Sequence, residues 1–278
     1  MAGLTACGSD GKSSDDKAGD KGGNGGQSVG SPLAALKLAS QRTDQQHSAK
    51  VEGSTQNGPM NMDMTGSMDW SDGMRADMVL TQKGGASSST PGGGAPMKAR
   101  YTPDAMFVNL GQSVPSQATG GKSWIKYDYD AFAKQTGASG AFLKDQMQNN
   151  NPSRSVQLLM ASGKVKKVGS ETVKGAEATH YTGTVEVSEL AKMQSKDLSK
   201  SDLDALQQQM EQSGMKTETI DLWIDSKNLL VKKREQAKSK SGVYDSTVFY
   251  SDYGTKVTVE EPAATETVDF QELQGSQQ

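Results

Sequence analysis

The one cysteine of this sequence sits where its thiol has a use. Leu4-Thr5-Ala6-Cys7-Gly8 reads as a bacterial lipobox: a leucine, two small residues that suit a cleavage site, then a nucleophilic thiol. That thiol can take a diacylglyceryl group, and Cys7 then becomes the new amino terminus. Cys7 is the only cysteine in 278 residues, and a polar stretch follows it at once. The plainer alternative is an incidental thiol near an unstructured start. Only Met1-Ala2-Gly3 precede the box, so the charged and apolar regions of a signal peptide are expected upstream. Two acyl chains hold a protein on a bilayer where one gives only marginal binding.

A second chemical feature is a methionine stripe. Met60, Met62, Met64, Gly66, Met68 and Trp70 occupy even positions, with Asn61, Asp63, Thr65, Ser67 and Asp69 between them. Met74, Ala76, Met78 and Leu80 repeat the pattern beyond Ser71-Asp72-Gly73, with Val79 the apolar exception. Side chains alternate faces along a strand, so these are two half-buried strands of one hairpin. Three roles fit such a stripe. It is sheet core under helices, or a deformable lining for acyl chains, which the unbranched, polarizable thioether suits. As a third reading, Met60, Met62 and Met64 are soft ligands for Cu(I), although Met68, Met74 and Met78 carry the stripe far past one site.

The remaining candidates are weaker. His47 and His180 are too far apart in sequence to assert a site and read as surface or strand-edge residues. Trp223 falls on the face opposite Ile220, Leu222 and Ile224, as packing or as a rim contact. Lys232-Lys233-Arg234 with Lys238 and Lys240 read as a solvated strand pair, or as attraction for anionic headgroups. Glu260-Glu261 has nothing beside it to raise a carboxyl pKa. There is no GxSxG, HExxH or Walker loop, and no GxGxxG after a strand. No catalytic residue, cofactor or metal site is read, and no enzyme is expected. The 30 Lys and Arg are interspersed among 33 Asp and Glu, which leaves no footprint for nucleic acid.

Elements must position these residues. Leu, Ile, Val and Phe make up only 42 of 278 residues, about 15%, so the core is lean and draws on 14 methionines. Residues 8–30 form a Gly/Ser/Asp/Lys tether that cannot bury apolar surface, with a reach of roughly 25–29 Å for a flexible chain. Residues 84–96 read as a flexible insertion. Ser31-Pro32 starts a helix to about Gln46. Strands follow over 50–55, 60–70, 74–80, 100–102, 106–110 and 123–128. Helices are predicted over 129–150 and 152–161, then strands over 165–173 and 176–187. A helix over 201–213 carries Leu203, Leu206 and Met210. Four strands, 216–225, 229–238, 242–251 and 255–260, finish the domain. No apolar run approaches 18 residues, so no membrane-spanning helix is expected. The class is α+β: one curved, mostly antiparallel sheet of about eleven strands with helices on one face. The organisation is 1–7 lipobox and signal-peptide remnant, 8–30 tether, 31–262 folded domain and 263–278 loose tail.

Several segments resemble the actinobacterial LppX/LprAFG lipoprotein family, which shares the LolA/LolB-like fold. They are Leu4–Cys7, the leading helix into Lys50–Thr55, Lys122–Tyr127 (KSWIKY), Gly175–Val187 (GAEATHYTGTVEV) and Ile220–Lys233 (IDLWIDSKNLLVKK). One departure is Asn228, in a turn where the family usually has Gly; Asn also tolerates left-handed dihedrals. The resemblance implies an incomplete barrel with helices over its concave side and an apolar cavity between them for the acyl chains of lipids or lipoglycans.

The combined expectation is a protein anchored by lipid to the outer leaflet of the cytoplasmic membrane, on its extracytoplasmic face. There it holds or ferries an acyl-chain ligand. Met62, Met64 and Met78 on the strands, with Leu206 and Met210 on the facing helix, are expected to line the cavity. The segments 129–161 and 201–213 are the expected lids. The competing expectation is a surface sensor or interaction module with a closed core. Replacing Cys7→Ser is expected to move the protein from the membrane to the soluble fraction. Detergent phase partition checks this, and unchanged partition would remove the lipoprotein reading.

Overall fold

The computed structural model describes residues 31–84, 94–109, 111, 119–148, 150–186, 189, 200–240 and 242–275, without the side chains of 138, 139, 202, 206, 209 and 210. The tether, most of the 84–96 insertion and Cys7 lie outside the described residues. Ser31 caps the first helix, α1 (Pro32–Asp44), its Oγ accepting from the Ala34 amide at 3.2 Å, with Pro32 in the first turn. A meander follows: β1 (Ser48–Asn57), β2 (Met60–Asp69), β3 (Arg75–Lys83), β4 (Met97–Tyr101), β5 (Ala105–Asn109) and β6 (Trp124–Asp128).

The helical region expected over 129–150 is two helices, α2 (Tyr129–Thr136) and α3 (Ala138–Gln148), broken at Gly137, whose φ of 62° suits a residue without Cβ. Then come α4 (Pro152–Ala161), β7 (Lys166–Val173), β8 (Ala176–Glu186), α5 (Lys200–Ser213), β9 (Thr217–Asp225), β10 (Leu230–Ser239) and β11 (Gly242–Ser251). Asn228 takes φ 61° in the β9–β10 turn.

The last part of the chain departs from expectation. Residues 255–260 are not a strand. β11 is already paired on both sides, by β1 and β10, so no free edge waits beside it. The segment is instead held where Ser48 Oγ donates to the Thr255 carbonyl (2.7 Å) and Arg100 Nη1 to that of Glu260 (2.9 Å). Beyond Pro262, where a loose tail is expected, β12 (Thr267–Asp269) joins the open edge of β6 in parallel, and α6 (Phe270–Gly275) follows. Phe270 lies on Tyr127 with ring centroids 4.7 Å apart.

The result is one curved sheet of twelve strands, ordered β12-β6-β5-β4-β3-β2-β1-β11-β10-β9-β8-β7 and not closed. It is two meanders, β1–β6 and β7–β11, joined by the pairing of β1 with β11. On the free edge, β7 carries Lys166, Lys167 and a bulge, which discourage further pairing.

The main core lies on the concave face. Antiparallel α1 and α4 set Leu36, Ala39, Val156, Leu158 and Leu159 against Tyr181, Leu222, Leu230, Val248 and Tyr250. Gly183 makes this possible: a Cβ there would sit 2.5 Å from Leu159 Cδ1. Leu159 is fully buried, a contribution of about 1.5–3 kcal/mol. So α4, expected within a lid, is instead part of the core. Gly66 serves Met78 in the same way, since a Cβ on it would lie 2.2 Å from the Asp77 carbonyl oxygen and 2.6 Å from Met78 Sδ. Gly66→Ala is therefore expected to overpack the β2–β3 pair and cost about 1–3 kcal/mol, read by urea denaturation.

Candidate functional site

The pairing registers place side chains in rows across the concave face. One row runs Gly183, Ile220, Glu235, Ser246, Thr55, Met62. The next runs Tyr181, Leu222, Lys233, Val248, Gly53, Met64, Leu80. A third runs Val185, Glu218, Ala237, Tyr244, Asn57, Met60. The methionine stripe thus faces the helix-covered side, as its spacing predicts.

The two halves of this face differ. Over β8–β10, α1 and α4 leave Ile220, Leu222 and Leu230 with no exposed surface. On β2 and β3, Met78 is buried in the core, Met64 packs against it half-buried, Met62 is half-buried, and Met60 is exposed. Helix α3 packs against α5, while α4 is the helix that lies closest along β8–β10. Leu206 and Met210 fall within α5, but their side chains lie outside the described residues.

A polar group stands between the halves. Lys233 Nζ donates to both Glu235 carboxylate oxygens (3.1 and 3.2 Å) and to Ser155 Oγ (3.2 Å). Ser155, on α4, in turn donates to Glu235 Oε1 at 2.8 Å. The Lys233 and Glu235 side chains are only 16% and 14% exposed. Thr55 and Ser246 share a hydroxyl bond of 3.0 Å in the Glu235 row.

Glu218 extends the group as a second carboxyl, half-buried, with no hydrogen bond or ion pair found among the described residues. Desolvation, then the Glu235 charge, push its pKa up to about 8, against the pull of Lys233. Burial alone would lower the Lys233 ammonium, but Glu235 and the Tyr250 and Tyr244 hydroxyls hold it above the ordinary lysine range. Tyr244 is pushed up to about 12 by burial and then by Glu235. Taking a lysine–glutamate pair out of water costs several kcal/mol per ion before their attraction returns it. Stability alone therefore does not call for charges here. Chemically, the group offers an ammonium, a carboxylate, hydroxyls and a readily protonated carboxyl within an apolar surface.

This corrects the reading of residues 232–234 as a solvated pair. Leu230 faces inward, and simple alternation would send Lys232 and Arg234 inward with it. A bulge between Leu230 and Lys232 shifts the register, so Lys233 and Glu235 point in. Outside, Lys232 lies 3.7 Å over the Trp223 ring, and Arg234 binds Asp245 through Nε at 2.9 Å and Nη2 at 2.5 Å. No sequence signal announces the bulge. Glu218 was legible, because it continues the even-numbered inward face of Ile220, Leu222 and Ile224. His47 is exposed in a turn. His180, read as a surface or strand-edge residue, is half-buried on the convex face, stacked on Trp223 at 4.3 Å and bonded to Asp221 at 2.8 Å.

No protein-family model matches the chain. It is 45% identical over 250 residues to a Streptomyces griseus protein named "uncharacterized 31.2 kDa protein in rplA-rplJ intergenic region", covering 88% of this chain and 81% of that one. It is 33% identical over 252 residues to a Streptomyces coelicolor protein named "putative lipoprotein", covering 90% and 79%. Similar solved structures include the Mycobacterium tuberculosis lipoprotein LppX (TM-score 0.49, 16% identical, covering 82% of this chain and 97% of that one). LprF from Mycobacterium bovis is another (TM-score 0.47, 17% identical, 84% and 97%).

Glu218 generates a pH dependence of defined sign. Its folded pKa lies above the unfolded value, so its contribution is fully present below about pH 4.5 and is lost as pH rises through about 8. Glu218→Gln is expected to flatten the fall in melting temperature between pH 6 and 9. After allowance for partial exposure, the gain at pH 9 is about 1–2 kcal/mol, with little change at pH 5. Thermal melts of both proteins across that range check it.

Proposed function

This chain belongs to the actinobacterial lipoprotein family of its two Streptomyces relatives, and on that premise we propose that it binds or carries the acyl chains of a lipid or lipoglycan. In this reading Cys7 bears the anchor, and the domain stands on its tether at the extracytoplasmic face of the cell membrane. The ligand would lie on the concave face over Met62, Met64 and Met78, and Leu206 and Met210 of α5 remain the proposed residues of its cover. The observation that carries the proposal is the unequal covering of that face: α1 and α4 pack β8–β10 solidly, while Met62 and Met64 remain half-buried on the same face, three strands from the Lys233–Glu235 pair.

The physical role is passive. An acyl chain leaves a bilayer only if another apolar environment receives it, at about 0.8 kcal/mol per methylene. Half-buried thioethers adapt to an irregular chain with little strain. No catalytic step is proposed. Among the described residues, no helix is long and apolar enough to cross a membrane.

Met64 and Met78 separate this reading from a closed-core sensor. Met78 is 7% exposed with Sδ against Gly66, so Met78→Phe is expected to cost about 1–3 kcal/mol by overpacking. Met64→Trp is expected to cost little stability but to weaken a fluorescent fatty-acid probe severalfold. Probe titration and thermal melts of wild type and both variants check this. Unchanged probe binding by Met64→Trp, or no binding by wild type, would favour the closed core.

A further inference from the structure

One end of the sheet differs from the other in its charge. At the end that holds the β9–β10 turn, two lysines are paired, Lys50 with Asp252 at 2.7 Å and Lys174 with Glu52 at 2.6 Å, and the exposed Lys227 stands near Asp225 and Asp252. At the opposite end, Lys216, Lys238 and Lys240 are exposed, and none has an ion-pair partner among the described residues. Some local acids are engaged: Asp245 is held by Arg234 and Gln236, and Asp63 by Lys83, while Glu186 across from Thr217, Glu211 on α5 and the inward-facing Glu218 have no ion pair among the described residues.

These lysines are organised. Lys216 and Lys238 line one groove of about 420 Å³ with Thr217, Gln236 and Val243. The Lys240 amide donates to the Ser213 carbonyl at 2.8 Å, which ties the end of α5 to the β10–β11 hairpin. The β1–β2 turn joins the same end, where the Gly58 amide donates to the Val243 carbonyl at 3.0 Å. Two large apolar side chains project there, Met60 at 49% exposure and Val243 at 43%. Met60 also ends the row that runs inward through Tyr244 to Glu218.

We infer that this end of the sheet docks on an anionic lipid bilayer, its lysines against the charged headgroups and Met60 and Val243 at the boundary with the acyl region. Unpaired lysines around apolar tips complement such a surface: each lysine near an anionic leaflet is attracted to it, and the apolar tips add burial. The inference builds on the carrier reading, because a ligand entering at this end would meet the concave face directly from the bilayer.

The test uses the full chain carrying Cys7→Ser, so that no anchor contributes. Flotation is measured with vesicles of phosphatidylcholine, with and without 30% phosphatidylglycerol. Binding is expected for the anionic vesicles and is expected to weaken as salt rises from 50 to 300 mM. Lys216→Gln, Lys238→Gln and Lys240→Gln are expected to weaken it about fivefold each, and Met60→Ser with Val243→Ser to weaken it further. Lys50→Gln with Lys174→Gln, at the other end, should leave it unchanged. Melting temperatures of these exposed-site variants establish that they fold. Equal binding by the triple lysine variant, or binding indifferent to phosphatidylglycerol, overturns the inference. The fatty-acid probe is titrated in parallel: loss of vesicle binding with probe binding intact supports docking at this end. Vesicle binding by the Cys7→Ser chain that takes no probe sustains docking while removing the carrier reading.

Discussion

The pairing of β1 with β11 holds the whole arrangement. Residues 50–57 and 244–251 stand far apart in the chain, and their ladder alone joins the two meanders. Its register sets Val51 beside Tyr250, Gly53 beside Val248 and Thr55 beside Ser246. Strand side chains alternate, so a slip of one residue would turn every inward group of one meander outward. The core under α1, the Met62–Met64 stripe and the Lys233–Glu235 pair would then no longer share a face. Closing so long a loop carries an entropic cost that grows only slowly with length, and the ladder is repeated over eight residue pairs.

Helix α4 translates that ladder into two environments. Leu159 enters the space left by Gly183 and seals β8. One turn earlier, Ser155 reaches the Lys233–Glu235 pair. The same helix therefore fills one half of the concave face and satisfies polar groups at the border of the other. Lys233 stays charged there because Glu235 and Ser155 replace its water, while Glu218, without such partners, retains its proton to higher pH. The methionine stripe and the satisfied ion pair thus share one face, the first soft in shape and the second definite in polarity.

The outer face is ordered by different contacts. Trp223 is packed between His180 and Lys232, and Lys174 covers Phe249 at 4.4 Å. Here the lysine ammonium groups themselves lie over the ring faces, where the negative face of the ring attracts them. The convex side thus needs no covering layer, and the helices gather on the concave one.

Much of this was legible in the residue order, because period-2 alternation and turn chemistry are local. Met60 to Met68, the Ile220–Ile224 face, the Ser31 cap and the Asn228 turn all follow from neighbours within a few residues, and Cys7 stands out as a motif. Local signals could not say which strands pair. The joining of β1 to β11 left residues 255–260 without an edge, and the open edge of β6 drew Thr267–Asp269 into the sheet as a parallel strand. Nor could they show the bulge after Leu230, which sends Lys233 inward and Lys232 onto Trp223, or the α1–α4 packing that makes Val156 and Leu159 core rather than lid. Those outcomes depend on partners brought from distant parts of the chain. The polar group on the concave face was decided by tertiary structure for that reason, whereas the apolar stripe beside it was written in the spacing of the methionines.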